Sequence, residues 1–180
     1  MSENKIQIVR SLLEQSIDLL YENDCYLITN SVHEQSISHR IAHYLENLLI
    51  KYDWFVKDGY SVDVEYNKNF GDSKKVFQNC SNCNQSGCYI KTSNYDIDNY
   101  KSICRPDIII HKRESNDNIL AIEIKKEELN NAKDKYDFAK LSAFSCDRTE
   151  YKYILGIFIN VNESKYRYFK NGQEVNENAL

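Results

Sequence analysis

The chain carries a single proline and only five glycines in 180 residues. No Pro-rich or Gly/Ser-rich linker interrupts it and no segment recurs at a fixed period. A repeat array and a two-domain division are therefore excluded, and one domain is expected over residues 1–180. An excess of positive charge is also missing: 23 Lys and Arg face 27 Asp and Glu, a net charge of −4. That balance excludes a globally basic nucleic-acid coat or a polybasic membrane-surface protein, while leaving room for a local nucleic-acid groove. No run approaches the ~18 consecutive apolar residues of a transmembrane helix, and the opening MSENKIQIVR lacks the basic-then-apolar order of a secretory signal. The expected address is the cytoplasm, with no membrane partner. Cysteines there are reduced, so the six present are candidates for metal ligation rather than for a disulfide framework. What the chain does have is 42% hydrophobic residues, enough to fill a core without staples.

Apolar periodicity lays out the elements. Ile6, Val9, Leu12, Leu13, Ile17 and Leu20 recur at helical spacing and predict a surface helix over about residues 3–22. A second helix is predicted from Ser31 to about Lys51, with Ile37, Ile41, Leu45 and Leu48 on one stripe. YSVDVEY (60–66) alternates as a half-buried strand with a polar face, whereas 67–100 is polar, aperiodic and cysteine-containing, and reads as an insertion. PDIIIH (106–111) and ILAIEIK (119–125) read as two strands of a hairpin. In the second, Leu120, Ile122 and Ile124 share one face while Ala121, Glu123 and Lys125 share the other. A helix over about 131–145 and the doubly apolar strand YILGIFIN (153–160) complete a strand–helix–strand crossover, expected to be right-handed. Asn171-Gly172 signals a type I′ turn in a small terminal hairpin.

The hairpin concentrates chemistry at one end. Asp107 opens its first strand, and Glu123 and Lys125 close its second, so folding brings the three together. Two carboxylates on adjacent strands can hold a hard divalent cation, and a lysine two residues after the second carboxylate projects from the same face. Such a set suits phosphodiester hydrolysis, in which an ion polarises the phosphate and lowers the pKa of water while the lysine orients that water. The plainer reading of Glu123 and Lys125 is a surface ion pair on an edge strand. One geometric condition applies: Asp107 shares a face with Glu123 only if paired residue numbers sum to an even value, which requires an odd loop or a bulge.

Pro106-Asp107 followed after a hairpin by Glu123-Ile124-Lys125, all on apolar strands and trailed by a helix and a buried strand, resembles the PD-(D/E)XK nuclease superfamily from about Ser31 to Asn160. The resemblance implies an α/β, restriction-endonuclease-like core with a mixed central sheet flanked by helices. It implies a divalent-metal-dependent nuclease using Mg²⁺ or Mn²⁺ on nucleic acid, DNA ahead of RNA. Asp107 and Glu123 would hold the ion, Lys125 would position water, and Glu34 on the first core helix would support the metal shell. Against that role for Glu34 stands a capping box with Ser31, S-x-x-E. A catalytically inactive binding module on the same fold is the alternative function.

Cys80-x2-Cys83-x4-Cys88 and Cys104 form the ligand set of a structural Zn²⁺ site, which would make 67–104 a zinc-binding insertion; free or redox-active thiols are the alternative. Cys25 and Cys146 read as bystanders. Glu65 is a lesser acidic candidate, and His39 and His43 read as exposed because the H-E-x-x-H order is absent. Lys101, Arg105 and Lys140 are candidate phosphate contacts. The acidic balance predicts weak non-specific DNA affinity, and hence a recruiting protein partner or a homodimer.

Overall fold

The computed structural model describes residues 2–30, 32–66, 68–69, 72–73, 75–76, 102–103, 105–127, 131–147, 149 and 151–180. Two helices come first, α1 (Ser2–Asn23) and α3 (Glu34–Leu49), with a single turn, α2 (Cys25–Thr29), between them and another, α4 (Asp53–Lys57), after them. A six-stranded mixed sheet follows, in the order β1 (Tyr60–Val64), β6 (Ile108–Lys112), β7 (Asn118–Lys125), β8 (Leu155–Asn160), β9 (Lys165–Lys170) and β10 (Gln173–Val175). Helix α5 (Asn131–Ser145) connects β7 to β8, which pair in parallel; every other neighbouring pair in this sheet is antiparallel. The chain is thus an α/β fold with a six-stranded mixed sheet packed against helices. Among the described residues no helix is long and apolar enough to cross a membrane.

Side-chain alternation divides the core into two layers. Ile108, Ile110, Leu120, Ile122, Ile124, Leu155, Ile157 and Ile159 face α1 and α3, while Ile109, Ala121, Phe158 and Phe169 face Phe138, Leu141 and Phe144 of α5. Because both faces are covered, β8 is buried at all six positions, as its doubly apolar sequence requires. In α3 the stripe Ile37, Ile41, Leu45 and Leu49 is fully buried. At roughly 1.5–3 kcal/mol per buried aliphatic side chain, these four residues fix the rotation of the helix and carry Glu34 inward with them. Gly156 lets α5 approach β8: a Cβ there would lie 3.2 Å from Leu141 Cβ and 3.3 Å from Phe169 Cβ.

Short strands lie between β1 and β6: β2 (Lys68–Asn69) pairs with β3 (Asp72–Ser73), and β4 (Lys75–Val76) pairs with β5 (Ser102–Ile103). The expected zinc ligands Cys80, Cys83, Cys88 and Cys104 lie outside the described residues, as do Lys101 and Ser31. At the C-terminal end, Asn171 and Gly172 both take positive φ, +52° and +82°, giving the expected type I′ turn between β9 and β10.

Candidate active site

The site is built from the β6–β7 hairpin outward. Ile108 pairs with Ile122, Ile109 with Ala121 and Ile110 with Leu120, so the register places Asp107 opposite Glu123. Nearer the turn the pairing shifts, His111 facing Asn118 and the Lys112 amide donating to the Asp117 carbonyl at 3.1 Å. The four-residue turn 113–116 alone would impose an odd sum and send Asp107 and Glu123 to opposite faces. Ile119, the unpaired residue of a bulge, restores the even sum. Asp107 Oδ2 then accepts a 2.6 Å hydrogen bond from the Ile124 amide, which ties the start of one strand to the end of the other.

Glu123 is 1% exposed. Its Oε2 accepts a 2.7 Å bond from the Lys140 ammonium of α5, and its buried Oε1 has no hydrogen-bond partner. Lys140 is 8% exposed and also pairs at 2.7 Å with Asp137, one helical turn earlier on the same face. Lys125 follows on the same face of β7 and reaches Asp137 Oδ2 at 3.1 Å and Glu34 Oε2 at 3.4 Å. Glu34 Oε1 accepts from the Lys126 amide at 2.9 Å. The helix α3 thus starts at Glu34, with His33 as an N-cap that makes no side-chain cap bond, and the Glu34 carboxylate is engaged across the fold at the end of β7.

Six ionisable side chains from β6, β7, α3 and α5 therefore converge: Glu34, Asp107, Glu123, Lys125, Asp137 and Lys140. Fully ionised, they hold four negative and two positive charges, a deficit that one divalent cation cancels. The imbalance is felt in the carboxyl groups. Burial pushes Asp107 up to about 6, against the pull of the Ile124 amide, Lys140 and Lys125. Burial raises Glu123 well above the usual carboxylate range, and the neighbouring charges of Asp107 and Asp137 add to the effect while Lys140 opposes it. For Lys125, burial works against the charged form, but Asp137 and Glu34 outweigh it and hold the ammonium above its ordinary value.

The donor chemistry fits a hard cation: two facing carboxylates, one with an oxygen that has no partner at all. Among the described residues, however, no three His, Cys, Asp or Glu side chains converge tightly enough to hold an ion as they stand. Two contacts explain the spacing, since the Lys140 ammonium stands between Glu123 and Asp137 and the Ile124 amide holds Asp107 Oδ2.

Of the residues singled out in the sequence, the structure brings Asp107, Glu123, Lys125 and Glu34 together. Lys140, expected as a surface phosphate contact, is instead buried in ion pairs with the carboxylates, because it follows Asp137 by three residues on the sheet-facing side of α5. Arg105 is exposed beside the site. Glu65 meets Asp107 through the backbone, its amide donating to the Asp107 carbonyl at 3.1 Å. His33, His39 and His43 are exposed. His111 is buried against Asp63 at 2.8 Å and, together with Arg113, holds that carboxyl down to about 2 against the opposing effect of burial. Cys25 is exposed and Cys146 buried, both as free thiols. Sequence reasoning missed Asp137; the available signal was an acidic and a basic residue at i, i+3 beside the Phe138, Leu141 and Phe144 stripe.

What the fold and the site define together is an α/β protein with a buried acidic and lysine cluster at one end of its central hairpin. Compared with known proteins, the sequence matches no family model and no curated protein.

Proposed function

We propose that the chain is a divalent-metal-dependent nuclease with a restriction-endonuclease-like core, hydrolysing phosphodiester bonds. The observation that carries this reading is the facing pair Asp107 and Glu123, with the Glu123 Oε1 buried and unbonded and Lys125 two residues further on the same face. Asp107 and Glu123 would hold Mg²⁺ or Mn²⁺, with Glu34 supporting from α3. When bound, the ion would polarise the phosphate and acidify the attacking water. Lys125, kept charged by Asp137 and Glu34, supplies a fixed ammonium that orients water or offsets charge developing on the phosphate. Glu34 and Asp137 hold that lysine from two different helices, so its position is set by packing. DNA is taken ahead of RNA on the resemblance alone. The four cysteines add a structural Zn²⁺ to the proposal on their spacing, and zinc analysis of the purified protein tests it. The net charge of −4 adds a recruiting partner or a homodimer to the proposal.

Incubation of purified protein with DNA and RNA in Mg²⁺ or Mn²⁺ tests the activity. Cleavage is expected in the wild type, falling at least about a hundredfold in Lys125→Ala and in Asp107→Asn, the scale at which one electrostatic catalytic group is removed. Metal-supplemented wild type that cuts neither substrate would sink the proposal. A second reading, a non-catalytic binding module, draws on the Lys140 ammonium seated against Glu123 and Asp137. Under that reading nucleic acid binds without cleavage, and Asp107→Asn leaves binding intact.

A further inference from the structure

Resting on the metal-dependent reading above, we propose that Lys140 is the site's resident cation. Its ammonium occupies Glu123, one of the two carboxylates that would hold the divalent ion, and so sets the ion concentration at which the site loads.

Four observations converge on this role. Lys140 is buried, and it pairs with carboxylates from separate elements, Glu123 of β7 at 2.7 Å and Asp137 of its own helix at 2.7 Å. An ammonium so placed does for the metal-free protein what an ion would do, joining α5 to the sheet through charge. It does so incompletely: Lys140 satisfies Glu123 Oε2 while Oε1 stays buried without a partner. The other lysine is committed elsewhere, since Lys125 bridges Asp137 to Glu34. Lys140 also has somewhere to go. Its four-carbon stem is flexible, and its ammonium already lies 5.2 Å from the ring centre of Tyr136, a side chain at the protein surface. Withdrawal toward that ring would open both Glu123 oxygens while keeping the charge in an aromatic contact. Lys140 on this account is a positioning residue that competes with the metal, and it need not touch substrate.

Calorimetric titration of Mn²⁺ at pH 8 into the metal-stripped full chain tests the idea with no reference to cleavage. Removing a unit charge a few ångströms from the ion in Lys140→Met should tighten Mn²⁺ binding by roughly tenfold or more. Lys140→Arg, which keeps the charge, should bind no tighter than the wild type, and Glu123→Gln should lose the site. If Lys140→Met does not fold, Lys140→Gln carries the same expectation, because its amide can still donate to Glu123. Binding in Lys140→Met but not in the wild type supports the inference in its strongest form. Wild-type binding that is lost in Glu123→Gln yet unchanged or weaker in Lys140→Met overturns the role of Lys140 and leaves the metal site standing. Absence of binding in every variant overturns both.

Discussion

Asp107 illustrates how a buried carboxyl burdens the fold. Burial lifts its pKa to about 6 in the folded chain, above the ordinary aspartate value near 4, so the folded state binds the proton more tightly than the unfolded state. Stability conferred by that proton is present at low pH and is lost as pH rises from about 4 through about 6. The shift corresponds to about 3 kcal/mol of lost stability at neutral pH in the absence of metal. Asp107→Asn keeps an oxygen to accept from the Ile124 amide and carries no charge. The variant is expected to be about 1–3 kcal/mol more stable than the wild type at pH 8 in chelator, with the gap closing below pH 4; urea denaturation at the two pH values checks it. Equal stability at pH 8 would show that Asp107 is ionised without cost. The same residue scale separates what sequence could show. Glu123 and Lys125 were legible because strand alternation puts them on one face, and Asp107 because a hairpin returns its strand beside theirs, with the bulge at Ile119 completing the register. Asp137 and Lys140 were not, because their role depends on how far α5 leans over the sheet, and helical periodicity alone does not tell a surface lysine from one pressed against a buried glutamate.

At the level of elements, the α1 and α3 stripes, the polar face of β1 and the terminal turn follow directly from spacing, and all lie where spacing puts them. Two junctions do not. The start of α3 admitted two readings, a Glu34 turned toward the site and a capping box; the structure begins the helix at Glu34 and turns its carboxylate toward Lys126. A bond back to the helix start and a bond across the fold use the same oxygens, and only tertiary packing decides between them. The second junction is the bulge at Ile119. The need for an even register sum was readable in advance, whereas the device that meets it was not, since the turn itself has the wrong parity. The packing of α5 on β8 yields its own prediction. Gly156 already places Leu141 and Phe169 within 3.3 Å of a would-be Cβ, so Gly156→Val should force the helix off the strand. A loss of about 1–3 kcal/mol is expected from overpacking, seen as a lower denaturation midpoint. Because α5 seats Lys140 against Glu123, drawing the helix off the strand should also tighten Mn²⁺ binding, and a variant that loses stability with unchanged binding would uncouple the two.

For the whole molecule, the net charge of −4 sets how nucleic acid can be met. Phosphate contacts from a few local lysines and arginines give little counterion release, so metal-free binding to random duplex DNA should be no tighter than the ~10⁻⁴–10⁻⁶ M range of non-specific binders at physiological salt, with a shallow salt slope. Fluorescence anisotropy across a salt series measures both. A nanomolar affinity with a steep slope would mean that a basic surface has been overlooked. The amino-acid sequence by itself determined the alternation that puts Glu123 and Lys125 on one face and the hairpin that returns them toward Asp107, because each rests on near neighbours along the chain. Tertiary structure alone decided which lysine is buried, which oxygen of Glu123 lacks a partner, and that Glu34 reaches β7 across 91 residues of sequence. Those outcomes depend on the distance between a helix and a sheet, which is fixed by the summed packing of all the side chains between them.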